Sequence, residues 1–408
     1  MPSDLPDGDA VPSDGSLPAS ALESFGERPF GFYVHVPFCT VRCGYCDFNT
    51  YTASELGGGV GASRASYADA AVAEIRLARS VLGDVDVPVE TVFFGGGTPT
   101  LLPPADLTRI VAVIDEEFGL APEAEVTTES NPDSVSAKDL GLLREGGINR
   151  ISFGMQSAVP HVLTVLDRTH DPRRVPQVVQ WARSAGFDEV SLDLIYGTPG
   201  ESLADWATSL DSALSNDPDH VSAYALIVEE GTALARQVRR GEVQMTDDDD
   251  LADKYIAADE AFTKAGLGWY EVSNWSRSPE SRCRHNMGYW TGGDWWGVGP
   301  GAHSHVGGVR WWNVKHPTAY AGRIEHGSSP AHAREVLDDE TRRVEHVLLE
   351  LRLSDGLAID MLDGAGRANL PAQVARGLVL ADELERGGVV LTQAGRLLAD
   401  AVVRDLLP

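Results

Sequence analysis

The chain of 408 residues has few cysteines, few cationic residues and no long apolar run, and each scarcity excludes something. No stretch approaches the ~20 consecutive apolar residues of a membrane-spanning helix, so a membrane span is not expected. Lys and Arg number 33 against 61 Asp and Glu, a net charge of -28. Such a surface repels phosphate backbones, and nucleic acid is not an expected partner. The opening MPSDLPDGDAVPSDGSLPAS lacks the basic and apolar regions of a secretory signal, so a cytoplasmic location is the expectation. The four cysteines do not read as a disulfide framework. Cys39, Cys43 and Cys46 lie together and Cys283 stands far away. Three clustered thiols point instead to a metal or cluster site.

Residues 1–28 are rich in Ser, Pro, Asp and Gly, and they read as a disordered tail. From residue 29 onward, apolar β-branched runs alternate with helical patterns. Strands are expected at Gly31–Pro37, Thr91–Gly95, Glu125–Ser130, Arg150–Met155, Glu189–Ile195 and Val221–Val228. Helices are expected between them, for example over Tyr67–Leu82, Ala105–Phe118 and Leu203–Leu214. Six such repeats mean parallel strands with crossover helices. Either an open doubly wound sheet or a curved barrel satisfies the pattern, with the site at the carboxyl ends of the strands. Five successive strand ends carry Cys39, Gly95–Thr98, Glu129, Gln156 and Asp193, which suits a barrel mouth better than a two-strand crevice. The expected architecture is an α/β partial (β/α)6 TIM-like barrel over 29–231 with an accessory α+β C-terminal region. That region divides into a Trp- and Gly-rich segment, 232–335, and a small helical domain, 336–408.

The segment FCTVRCGYCDF spaces its thiols as C-x3-C-x2-C after the first strand. Thiolates are soft ligands for iron–sulfur clusters or zinc. On spacing alone, a zinc site with His35 as fourth ligand is the alternative. The flanks decide differently. C-x3-C-x2-C, the glycine motif FFGGGTPT and Glu129 in TESNPD together resemble the radical S-adenosylmethionine (SAM) superfamily. The resemblance implies a [4Fe-4S] cluster on Cys39, Cys43 and Cys46, with one iron left open for SAM.

The likeness narrows further. YVHVPFCTVRCGYCDF, GGGTPTLL, ESNPD, INRISFGMQS, LDRTH, DLIYGTPGES and YEVSNW resemble the coproporphyrinogen III oxidase-like family. One branch of it oxidatively decarboxylates coproporphyrinogen III; the other, the HemW subfamily, comprises radical-SAM-type heme chaperones. Two features favour the chaperone branch. The oxidase branch usually carries a further cysteine two residues after the cluster motif, and here that position is Phe48. CRHNMGYW (Cys283–Trp290) is similar to the H-N-x-x-Y-W motif associated with heme. The resemblance implies SAM contacts from Tyr33, Tyr45, Gly97, Thr98, Glu129, Gln156, Arg168 and Asp193. It implies His285 as a heme ligand, and Cys283 is expected to be a buried thiol. The implied partners are heme, acceptor hemoproteins and an electron donor such as flavodoxin or ferredoxin.

Overall fold

A computed structural model describes residues 7–56 and 63–407. The six expected strands form as β1 (Phe30–Val36), β2 (Val89–Gly96), β3 (Leu120–Ser130), β4 (Arg150–Gln156), β5 (Glu189–Tyr196) and β6 (His220–Ala225). They pair in parallel in chain order, β1 to β6. Helices Arg64–Leu82, Pro104–Phe118, Ala137–Glu145, Arg174–Ala185 and Leu203–Leu214 provide the crossovers. Local chemistry sets their starts. Ser136 and Ser202 each close a capping box with the Asp three residues on, satisfying helix-end N–H groups.

The Trp- and Gly-rich segment differs from its reading as a separate region. It supplies β7 (Gly268–Glu271), β8 (Asn274–Ser276), β9 (Asp294–Val298), β10 (His303–Val306) and β11 (Val309–Asn313), and β12 (Ala331–Val336) follows. These strands extend the same sheet at both edges, giving the order β12-β11-β10-β9-β1-β2-β3-β4-β5-β6-β8-β7. β9 runs parallel to β1, while β8 runs antiparallel to β6, so β1 and β6 never meet. The barrel is partial, as expected. Trp275, Trp296 and Trp311 belong to the same apolar core as the β1–β6 strands. These three Trp side chains are core of the barrel, not of a second unit. Residues 347–406 build their own smaller core from Val347, Leu351, Leu370, Val389 and Val402 among others.

The expected disordered tail is a correction. Of residues 1–28, those from 7 on are described, and they pack on the barrel. Asp9 pairs with Arg334 of β12, Ala19–Glu23 form a short helix, and Ala21 and Phe25 are buried in the main core. Composition missed this because two well-placed apolar side chains suffice to anchor a polar segment whose path a sheet edge already defines. Residues 1–6 of that reading lie outside the described residues. Among the described residues no helix is long and apolar enough to cross a membrane.

Buried Glu74 ties the crossover helix Arg64–Leu82 to the late segment. Its carboxylate accepts hydrogen bonds from the Gly299 N–H (2.8 Å), Asn313 Nδ2 (2.8 Å) and the Tyr320 hydroxyl (2.6 Å). Three donors on a buried carboxylate oppose the desolvation that still pushes it up to about 7. This network holds the residue that follows β9, the strand paired with β1, and the cysteine loop follows β1 in the chain.

Candidate functional site

A cavity of about 760 Å3 opens at the carboxyl ends of the parallel strands. Cys39, Cys43 and Cys46 all line it, as do Tyr45, Gly97, Thr98, Glu129, Gln156, Arg168 and Asp193. Ten expected residues thus converge on one space, although their strands are spread across the sequence. All four cysteines are free.

The cysteine loop is held by backbone bonds at its base. The Cys39 N–H donates to the Tyr51 carbonyl (3.0 Å) and the Tyr51 N–H to the Pro37 carbonyl (2.7 Å). The Gly97 and Thr98 N–H groups donate to the Val36 and Phe38 carbonyls, each at 2.8 Å. A Cβ on Gly97 would lie 2.5 Å from the Phe38 carbonyl oxygen and 2.9 Å from its carbon. Glycine is therefore required for close approach to the cysteine loop itself, not only to a ligand. Gly97→Ala should displace this loop and lose most of the iron and sulfide the wild type takes up anaerobically, with far-UV circular dichroism unchanged. Normal uptake would remove the loop contact as the reason for glycine here.

Burial raises the Cys39 thiol and pushes Cys46 up to about 11, and the neighbouring Cys43 adds to both shifts. Both shifts disfavour the free thiolate, the form that a metal takes. His35, the fourth ligand of the zinc alternative, is engaged elsewhere. Its Nδ1 lies 3.0 Å from the Tyr33 hydroxyl and its Nε2 3.0 Å from the Asn49 carbonyl oxygen. Among the described residues no three His, Cys, Asp or Glu side chains meet closely enough for a single metal ion. A [4Fe-4S] cube binds its thiolates on separate irons, and three cysteines on one loop bordering the cavity supply the soft donors it takes.

Two half-buried carboxylates line the same cavity as the thiols. Glu129 is pushed up to about 8 by desolvation and by the charge of Asp193, against the Gly96 N–H that stabilises its ionised form. Asp193 is raised by burial while both its oxygens accept from Ser152 Oγ at 2.9 Å. Two carboxylates destabilised in this way favour a cationic ligand, and SAM brings an ammonium and a sulfonium. Gln156 adopts a left-handed backbone (φ 61°) at a bulge between β4 and β5. Non-glycine residues in that region are uncommon and concentrate at functional sites. Arg168 donates through Nη2 to the Gly154 carbonyl at 2.7 Å, and its buried Nε has no partner. Tyr45 packs on the apolar cluster of Val162, Leu166, Ile195, Leu226 and Leu234.

Two expected residues lie elsewhere. Tyr33 is stacked on Phe93 inside the barrel and does not line the cavity. His285 is not presented as an open iron ligand. It is buried, with Nδ1 2.9 Å from Thr91 Oγ1 and Nε2 2.8 Å from the Tyr289 hydroxyl, and its ring stacks on Phe93. Burial lowers its pKa to about 3, so the imidazole is neutral but both nitrogens are occupied. Spacing showed the motif but not these partners. Its helix, Arg284–Trp290, is anchored by Glu125 of β3, which accepts from the Arg284 N–H (3.0 Å) and the His285 N–H (3.1 Å). Cys283 is buried as expected, with its thiol 3.6 Å from the same carboxylate.

The sequence reading missed the depth of the cavity. Thr127, Arg150, Ser191 and His220 line it below the level of Glu129 and Asp193, and Cys283 and Asn286 of the His285 motif also border it. The signal was available: stepping back two residues along each strand from a mouth residue reaches the next inward-facing one.

Residues 33–213 match the model of the radical SAM superfamily. The chain is 50% identical over 381 residues to the protein named heme chaperone HemW of Mycobacterium tuberculosis, covering 93% of this chain and 95% of that one. It belongs to the HemW family. A HemW of Bacillus subtilis is 31% identical, over 91% of this chain and 97% of its own length. Among solved structures, the coproporphyrinogen III oxidase HemN of Escherichia coli superposes with a TM-score of 0.80 at 23% identity, covering 95% of this chain and 92% of that one. That likeness establishes the fold alone, and it extends the HemN-like architecture through the late strands of this HemW family member.

Proposed function

We propose that this protein carries a [4Fe-4S] cluster and SAM and serves in the cytoplasm as a heme chaperone, binding heme and delivering it to acceptor hemoproteins. The observation that carries the cofactor half is the convergence of three unpaired thiols with the Glu129–Asp193 carboxylate pair on one cavity. Cys39, Cys43 and Cys46 hold the cluster. Tyr45, Gly97, Thr98, Glu129, Gln156, Arg168 and Asp193 bind SAM, with Tyr33 acting through His35. When bound, the cluster supplies single-electron chemistry at the SAM sulfonium, drawing on a donor such as flavodoxin or ferredoxin. The protein's own part is to orient SAM, offer charge to its cationic groups and keep water out.

The heme half rests on the relationship to proteins named heme chaperones and on Phe48, exposed at the mouth where the oxidase branch usually places a further cysteine. The rival activity is oxidative decarboxylation of coproporphyrinogen III. Anaerobically reconstituted protein should bind hemin and pass it to an apo-hemoprotein, and it should produce no vinyl groups from coproporphyrinogen III. Sustained decarboxylation without heme transfer would reverse the assignment.

In this reading His285 ligates heme iron after Nε2 leaves Tyr289. Tyr289→Phe should therefore tighten hemin binding about fivefold, the worth of one ordinary hydrogen bond. His285→Ala should weaken hemin binding and shift the Soret band, with iron–sulfur content unchanged. Identical spectra and affinities in both variants would exclude His285 as the ligand.

A further inference from the structure

We propose that the lower half of the cavity is a subsite for a carboxylate group, with Arg150 and Thr127 as its donors. The two residues are register partners on β4 and β3, so their side chains stand side by side on the inner face. Both line the cavity, and both are almost wholly buried, Arg150 with 2% and Thr127 with 1% of its surface exposed. Each nevertheless ends in a polar atom without a hydrogen-bond partner, Arg150 Nη2 and Thr127 Oγ1. Such orphaned donors are costly in a folded protein unless something fills them.

The rest of Arg150 is committed. Nη1 donates to the Ser281 carbonyl at 2.9 Å and lies 3.9 Å from Glu125. Glu125 in turn is engaged by the two N–H groups of the Arg284–Trp290 helix. Of the other polar groups at this depth, Ser191 Oγ is 2.7 Å from His220 Nδ1 and His220 Nε2 is 2.7 Å from the Tyr270 hydroxyl, while Glu189, the register partner of Arg150 on β5, keeps one oxygen without a partner. What remains without a partner is Nη2 of the Arg150 guanidinium and the Thr127 hydroxyl, on neighbouring register positions of the cavity lining. A carboxylate presents two acceptor oxygens, and a guanidinium N–H to carboxylate bond is among the stronger hydrogen bonds available. Nor does the upper pair oppose an anion in full, since Glu129, pushed up to about 8, is largely protonated at neutral pH.

Two sources could supply this group. One is a free short-chain dicarboxylic acid. The other is a propionate arm of a porphyrin, which rests on the heme reading above. The test uses the full-length protein and Thr127→Val, which keeps the side-chain shape and removes a hydroxyl that makes no bond in the fold. The variant should melt at the same temperature as wild type or higher. Three probes are titrated: glutarate, hemin and hemin dimethyl ester. Thr127→Val should weaken binding of the carboxylate-bearing probe about tenfold or more. If wild type prefers hemin to its ester and the variant loses that preference, the porphyrin propionate is the source. If glutarate alone responds, the source is a free acid. A folded variant that binds glutarate and hemin as wild type does, or a wild type that binds neither, overturns the subsite. Failure of hemin to bind while glutarate responds would defeat the heme reading and leave the subsite standing.

Discussion

Cys46→Ala protein, reconstituted anaerobically with iron and sulfide and then desalted, should retain both only at background level. The three thiols of the loop border one cavity. Cys283, the other thiol in the chain, sits on the cavity floor beside Glu125. The loop is also braced through Cys46 itself, whose N–H donates to the Cys43 carbonyl at 3.1 Å, a bond that Ala preserves. The loss therefore reports the sulfur and not the backbone. Two thiolates leave two irons of the cube without protein ligands, and such a cluster is released to water and oxygen. Cys39→Ala and Cys43→Ala should behave alike, whereas Cys283→Ala should load iron as wild type does. Full loading of the Cys46 variant, or equal loss from Cys283→Ala, would place the cluster elsewhere.

SAM binding should strengthen as pH rises from 6 to 8 and level off above that. Glu129 has its pKa pushed up to about 8 by desolvation and by Asp193. Below that value the carboxyl is mostly protonated, and the cationic ligand binds the ionised form. Binding must then expel the proton, so affinity rises by up to about tenfold per pH unit until the free group ionises unaided. Calorimetry at pH 7 in two buffers of different ionisation heat should register release of about one proton per SAM. Glu129→Gln cannot ionise. Its affinity should be flat across this range and, above pH 8, about 10- to 150-fold weaker than wild type, the worth of a charge-assisted hydrogen bond. A pH-independent wild type, or a Gln variant that retains the wild-type slope, would take Glu129 out of the SAM site.

The barrel was legible because its signal is local. Strand and helix patterns alternate with short capped connections, and the observed elements follow them closely from Phe30 to Leu214. The mouth residues were legible for the same reason: Gly97 and Gln156 follow or end a strand, and Glu129 and Asp193 lie in the second halves of strands whose place was already set. What escaped depends on contacts between distant segments. Nothing around Trp295 announces a strand, because glycines interrupt the run on both sides, and pairing with β1 is the contact that makes β9 one. The anchoring of Ala21 and Phe25 needs a core supplied by later residues. The partners of His285, Thr91 and Tyr289, come from β2 and from the motif's own helix, and only the assembled floor of the barrel shows that neither ring nitrogen is free.

The position of β1 between β2 and β9 has a consequence for the order of events during synthesis. A ribosome releases Phe30–Val36 early, and β2 follows within some sixty residues, but the second neighbour, Asp294–Val298, emerges only when most of the chain is out. Until then one edge of β1 is unpaired, and the Glu74 network that braces it lacks Gly299, Asn313 and Tyr320. The cysteine loop grows directly from the end of this strand. A nascent chain thus presents its three thiols on an unfinished support, and long-range parallel pairing is slow to form. A fragment stopped short of residue 294 has the thiols without the second neighbour of the strand that carries them.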